Sequence, residues 1–126
     1  MKPNVVHSND APQPIGPYSQ AIVCGDLVFL SGQIAIDPAS GELTGADVSA
    51  QTKRIFQNIR ALLAELSLDT GSLVKTTVYL ADMGSFAGFN SVYEKELNGW
   101  KPARSVVEVS RLPKNALVEI EAVACR

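Results

Sequence analysis

The sequence predicts an α+β fold, a mixed β-sheet with two helices packed on one face. Three observations carry this expectation. Apolar periodicity along the 126 residues runs strand, strand, helix, strand, helix, strand, strand. Each helical segment has a single apolar stripe, enough to cover one face of a sheet. The last quarter, Lys101–Arg126, alternates with period two in two runs, Arg104–Val109 and Leu117–Ala124, around a polar turn at Pro113–Lys114–Asn115.

The arm through Pro14 is rich in Pro, Asn, Asp and Ser and is expected to lie extended on the surface. In Ile15–Gln20, Pro17 fixes its own backbone and biases Gly16 away from helix, so Tyr18 enters the fold at a defined place. Tyr18 reads either as a half-buried tyrosine at a strand start or as a site residue. Ser19–Cys24 and Leu27–Ile36 form two strands about Gly25–Asp26, a two-residue hairpin turn. Ser31–Gly32–Gln33 interrupts the second strand. Glycine there marks either a bulge or a place where a ligand meets the backbone.

Asp37–Gly41 is a turn, and Glu42–Leu43 a short return. Asp47 caps a helix to about Leu66, striped by Val48, Ile55, Ile59, Leu62, Leu63 and Leu66. Val74–Leu80 is the next strand, with Val74, Thr76, Val78 and Leu80 on one face. Ser85 caps a second helix to about Leu97, whose apolar face is Phe86, Phe89, Tyr93 and Leu97. Asn90 lies beside that stripe, where an amide bonds to nearby backbone or to a ligand. Asn98–Gly99 ends the helix and Pro102 leads into the last two strands.

The length fits one domain spanning 1–126. A net charge of −2 with interspersed signs lacks the basic footprint that neutralises phosphates, so nucleic acid is a poor expectation as partner. No apolar run approaches the roughly 20 residues of a membrane-spanning helix. The first residues lack the apolar core of a secretory signal, which makes a cytoplasmic address the default expectation. Cys24 and Cys125 stand far apart without thiol or histidine neighbours at metal spacing and read as free thiols. With one histidine, His7, a protein-ligated zinc is not expected. Neither dinucleotide nor P-loop glycine motifs occur.

The last two strands pose the functional question. One face of each run is Ser105, Val107, Val109 and Val118, Ile120, Ala122, Ala124. The other carries Arg104, Val106, Glu108 and Leu117, Glu119, Glu121, Val123. That second set is too apolar for a solvated face and too charged for a monomer core, so burial between identical subunits is expected. The planar fork of Arg104 matches a carboxylate at two points, and Glu119 could orient or deprotonate a water. On pattern alone the favoured reading is an ion pair at an interface. A simple hairpin would place Glu119 opposite Glu108 and Arg104 opposite Val123, leaving Arg104 and Glu119 roughly 13 Å apart along the ladder.

Several stretches together resemble the Rid (YjgF) family, the 2-iminobutanoate/2-iminopropanoate deaminases. They are IGPYSQA at 15–21, LSGQIAIDPASGEL at 30–43, VKTTVYLAD at 74–82, FNSVYE at 89–94 and PARSVVEVSRLPKNALVEIEAVA at 102–124. The resemblance spans nearly the whole chain and reverses the ion-pair preference. It implies a chorismate-mutase-like fold, a homotrimer with ligand clefts between subunits, and no cofactor. It also implies hydrolysis of enamine/imine intermediates such as 2-aminoacrylate to 2-oxo acids and ammonia. By position, Arg104 would bind the substrate carboxylate, Glu119 would hold or activate water, and Tyr18, Ser31, Gly32 and Asn90 would shape the pocket. Some relatives carry a cysteine where Val106 stands, so a thiol role there is absent. Two other readings stay open: an endoribonuclease or translation inhibitor, and a non-catalytic binder of small oxo or amino acids.

Overall fold

The computed structural model describes residues 2–126. Strands β1 (Asn4–Val6), β2 (Ala21–Cys24) and β3 (Leu27–Gln33) precede helix α1 (Val48–Ala64). Then come β4 (Leu73–Leu80), α2 (Phe86–Glu96), β5 (Ala103–Glu108) and β6 (Val118–Cys125). The six strands form one sheet in the order β1-β2-β3-β6-β4-β5. Every pairing is antiparallel except β4–β5, which is parallel and joined through α2. A parallel pair needs such a crossover, because a tight turn cannot reverse the chain twice.

Local chemistry explains the elements. Gly25 adopts φ 62° in the hairpin that pairs Cys24 with Leu27. The Asp47 carboxylate accepts from the Ala50 N–H at 2.8 Å and starts α1. Asn98 and Gly99, with φ 51° and 82°, end the turn after α2. Both helices lie on one face of the sheet. Ile55, Phe56, Ile59, Leu62, Leu63, Phe89 and Leu97 pack there on Leu73, Val78, Leu80, Val118, Ile120 and Ala124. A second, smaller cluster of Ile34, Ile36, Leu112 and Ala116, flanked by Tyr79, forms apart from the main core.

The predicted α+β class with two helices on one face is what the chain adopts, but four expectations need correction. The expected β5–β6 hairpin is absent. β6 pairs with β4 on one side and β3 on the other, and β5 lies at the edge, parallel to β4. Side-chain faces follow from that. Arg104 aligns with Thr76, whose buried side chain points to α2, whereas Glu119 aligns with Tyr79 on the other face. Arg104 and Glu119 therefore share no face. Alternation within each run was legible; which strand separates the two runs was not.

The arm is not simply a surface segment. Asn4–Val6 adds an edge strand to β2, and Ser8 and Ala11 are buried. Val74 turns outward at a register shift between Leu73 and Lys75, and Leu73 takes the buried place. Finally, Ser85 makes no side-chain cap to α2; its hydroxyl donates to the Asp82 carbonyl inside a preceding 3₁₀ turn. The two cysteines flank Leu27 on neighbouring strands, about 9–10 Å apart by strand spacing. That separation exceeds disulfide reach, and both are free thiols.

One side chain holds the arm in place. The amide of Gln20, fully buried, accepts from the Ser8 N–H at 2.8 Å and donates to the carbonyls of Ser8 at 3.0 Å and Pro12 at 2.9 Å. It substitutes for a stretch of backbone ladder that β1 and β2 do not form beyond Val6–Ala21. Replacing Gln20 by Ala leaves those arm groups without partners, a loss of about 1–3 kcal/mol. Hydrogen exchange should then accelerate at residues 6–13 while the protection of α1 stays unchanged.

Candidate functional site

The predicted site residues fall into two cavities. Tyr18, Ser31, Gly32 and Glu119 line the first, of about 400 Å³, together with Pro12, Ile15, Ile34 and Glu121. Asn90 and Arg104 line the second, of about 300 Å³, with Tyr93, Glu94, Trp100 and Lys101. Within one chain the structure unites four of the six and separates the other two.

The first cavity is built around a bulge. Pairing between β3 and β6 shifts register between Leu30 and Gln33, and Ser31 turns back toward β2. Its N–H donates to the Gln20 carbonyl at 3.0 Å and its hydroxyl to the Ser19 carbonyl at 2.6 Å. The Ser31 N–H is thus engaged within the fold and does not face a ligand. Gly32 lies in the bulge that its position in a strand suggests, and its missing side chain has a further use. A Cβ there would lie 2.5 Å from a carboxylate oxygen of Glu119. Glycine is needed so that a carboxylate of the protein itself can lie against the backbone. Tyr18 stands at the cavity mouth, about half exposed.

Glu119 accepts no hydrogen bond among the described residues, and its pKa is raised above the ordinary carboxylate value. Burial is the main cause, and the neighbouring Glu121 charge adds to it. A half-buried carboxylate without a donor is a strong acceptor and, once ionised, a better base than an exposed glutamate.

The second cavity presents a cation. Arg104 lies on β5 with its guanidinium among three rings: 4.8 Å from the centroid of Tyr93, 5.7 Å from Phe86 and 6.0 Å from Phe89. Its one hydrogen bond to protein runs from Nη1 to the Asn90 Oδ1 at 2.7 Å. The single ion pair among the described residues is Arg60–Glu96, so no carboxylate neutralises Arg104. Held by rings and one neutral amide, the guanidinium keeps most of its donors available for an anion. The Tyr93 hydroxyl shares a 2.7 Å hydrogen bond with Thr76, and burial is the first cause of its raised pKa. The cage around Arg104 therefore stays neutral.

Sequence reasoning missed the aromatic cage and the contributions of Gln20, Tyr79 and Glu121. The cage was visible only as a helical stripe, because nothing in the periodicity says that an arginine lies over it. Gln20 bonds to groups 8 and 12 residues away, beyond local pattern. Among the described residues no cluster of three or more His, Cys, Asp or Glu side chains could hold a metal.

The carboxylate of Glu119 gives a stability prediction with a definite sign. Its pKa is higher folded than unfolded, so its contribution favours the fold below the ordinary carboxylate pKa and is lost as pH rises through the raised value. Glu119→Gln should therefore raise the melting temperature at pH 7, with the gain vanishing at acid pH. Gly32→Ala should fold, since only a flexible carboxylate end must move, yet it should displace Glu119 and cancel the neutral-pH penalty in the same way.

Comparison with known proteins supplies the relationship. A sequence model described as Endoribonuclease L-PSP matches residues 8–126. A RutC family protein of Pyrococcus abyssi is 50% identical over 124 residues, covering 98% of each chain. A Rid-family protein of unknown function from Yersinia pestis superposes with TM-score 0.96 at 40% identity, over 99% of this chain and 100% of that one. The E. coli protein TdcF, solved with bound serine, gives TM-score 0.93 at 39% identity over 98% of both chains. With its sheet, two-helix layer and motifs all matched across almost their full length, this chain belongs to the Endoribonuclease L-PSP family, the Rid/YjgF proteins.

Proposed function

We propose that the protein hydrolyses small 2-imino acids, the tautomers of enamines such as 2-aminoacrylate, to 2-oxo acids and ammonia. The observation that carries this reading is the uncompensated Arg104 guanidinium, oriented by Asn90 and caged by neutral rings beside a cavity. Such a group binds a small carboxylate at two points. Glu119, without a donor and half buried, suits the handling of a water proton.

The two groups lie on opposite faces of one sheet, so a site that uses both must take them from two copies. The face away from the helices supports this. Leu27, Phe29 and Val107 are each more than 40% exposed there, beside Val123 and Cys125. A closed homotrimer in which Glu119 of one copy meets Arg104 of the next satisfies both requirements, with three equivalent clefts.

In that cleft the Arg104 fork holds the substrate carboxylate, and the apolar side chains of Ile15 and Ile34 flank the carbon chain. Glu119 takes a proton from water as the oxygen attacks the iminium carbon, and the C=N π pair moves to nitrogen. A carbinolamine results. Protonated Glu119 gives its proton to the nitrogen, which leaves as ammonia. The ionised Glu119 then takes the hydroxyl proton as the C=O forms, giving the 2-oxo acid. That proton passes to solvent before the next turnover. Iminium carbon is already electrophilic, so acid–base help worth about 10²–10⁴-fold suffices. The cleft chemistry uses side chains of the protein alone.

The family description names an endoribonuclease. Neither cavity contributes a histidine, and His7 lies exposed on the arm, bonded to Asn9.

The test generates 2-aminoacrylate in situ with a dehydratase and follows loss of the imine signal. Arg104→Ala should lower kcat/KM by at least roughly 10²-fold, the loss of two charged hydrogen bonds, with folding unchanged. Full activity in a folded Arg104→Ala protein would remove the reading. Mixing subunits tests the composite cleft. Co-assembled Arg104→Ala and Glu119→Gln chains should regain activity at roughly a quarter of their sites, the share pairing an intact arginine with an intact glutamate across one boundary. Two groups acting within one chain would give no recovery.

A further inference from the structure

Glu121 is a second carboxylate in the Glu119 cavity, and the hydrolytic scheme leaves it without a task. It stands two residues along β6 on the same face, about 6.8 Å of strand rise from Glu119, and lines the same 400 Å³ space. It does not float free. Its carboxylate accepts from the Tyr79 hydroxyl at 2.5 Å. Tyr79 lies on β4 directly opposite Glu119 and packs against the small apolar cluster of Ile34, Ile36 and Leu112. The ring is therefore braced beside Glu119, and its hydroxyl reaches past to fix the charge of Glu121. Glu121 is exposed to solvent, yet its carboxylate is held by a dedicated donor at the rim of the cavity that contains an unpaired acid.

We propose that Glu121, anchored by Tyr79, is a positioning residue that keeps a fixed negative charge beside Glu119 and thereby sets its basicity. The functional meaning rests on the reading of Glu119 as the water-handling group; the electrostatic claim does not.

The surroundings of Glu119 leave few competitors for this role. On β6 the neighbouring charge is Glu121 itself. On β4 the facing groups are Tyr79 and, further along the strand beyond Thr77, Lys75. On β3 the facing residues are Gly32 and Gln33, neither of them titratable. The segment leading into β2 contributes Tyr18, and the turn after β5 contributes Pro113, with Lys114 following it outside the cavity lining. In the proposed assembly the Arg104 of an adjoining copy opposes the effect of Glu121. Glu119 would then lie between the substrate-bearing cation of an adjoining copy and a fixed anion of its own chain. Ionised Glu121 disfavours a second charge nearby, in the direction of the raised pKa of Glu119, where burial acts first and Glu121 second. The Tyr79 phenol stays protonated and donating, its own pKa raised chiefly by that hydrogen bond.

The role is useful because an acid–base group works best with its pKa near the working pH. Removing the fixed anion makes Glu119 a weaker base, ionised over a wider range.

The experiment reads Glu119 directly, by carbon NMR titration of its side-chain carboxyl in the full-length protein, alongside the pH profile of imine hydrolysis. In Glu121→Gln, which still accepts from Tyr79, the Glu119 midpoint should move to lower pH. The acidic limb of kcat/KM should follow it, with a lower plateau. Glu121→Asp retains the charge and should restore the wild-type direction. Tyr79→Phe frees Glu121 and should move the midpoint the same way as Glu121→Gln, but less. An unmoved Glu119 midpoint in Glu121→Gln overturns the proposal, and so does Glu121→Asp behaving like Glu121→Gln. If the wild-type protein hydrolyses no imine while the midpoint moves as expected, the electrostatic pair stands and the hydrolase reading falls.

Discussion

The structure depends on the insertion of β6 between β3 and β4. This last strand forms antiparallel ladders on both sides and so joins the β1–β3 half of the sheet to β4 and β5. It separates β3 from β4, which run in the same direction and are joined through α1, and it displaces β5 to the edge. Its inward residues, Val118, Ile120, Ala122 and Ala124, complete the main core beneath the helices. Its outward residues carry Glu119 and Glu121. One strand thus closes the core and delivers the acidic half of the candidate site.

The same insertion explains why Gly32 matters. β6 runs past a bulge in β3, and the space opened there is filled by the Glu119 side chain rather than by a residue of β3. A carboxylate laid against backbone without a donor is unfavourable for folding, as is an arginine left without a counter-charge. The rest of the fold offsets these penalties through an apolar core and through Gln20, whose amide secures the arm that walls the Glu119 cavity. Where local preference and global stability disagree, as they do at Glu119 and Arg104, a binding or chemical role is the economical explanation.

Much of the fold was legible because its signals are local. Asp47 as a cap, the Gly25–Asp26 turn, the end of α2 at Asn98–Gly99 and the alternation of β6 all rest on contacts within a few residues. Strand order was not legible, since period two assigns residues to faces within a strand without naming the neighbours. That is why Arg104 and Glu119 were expected on a common face. Val74 escaped for a related reason: a register shift after Leu73 reverses the alternation, and no residue type announces it. At the site, local pattern and motif likeness could name candidate residues but not which of them share a cavity: Tyr18, Ser31, Gly32 and Glu119 line one, Asn90 and Arg104 the other. Tyr79 and Glu121 are 42 residues apart, and only the β4–β6 register brings them together.

Placing the two charged groups on opposite faces bears on how such a site can exist at all. Had Arg104 and Glu119 shared a face of one chain in a register that brought them opposite each other, they would have formed a salt bridge. Each would then have satisfied the other and left nothing for a ligand. Separation by the sheet prevents that collapse during folding of the single chain. Arg104 stays oriented by Asn90 and the Tyr93 ring, and Glu119 stays raised in pKa by burial. If copies then meet edge to face, the cation and the acid approach across a boundary already rigid on both sides. Their distance is set by packing rather than by mutual attraction. A cleft made in this way can hold a small anion between two groups that would otherwise neutralise each other.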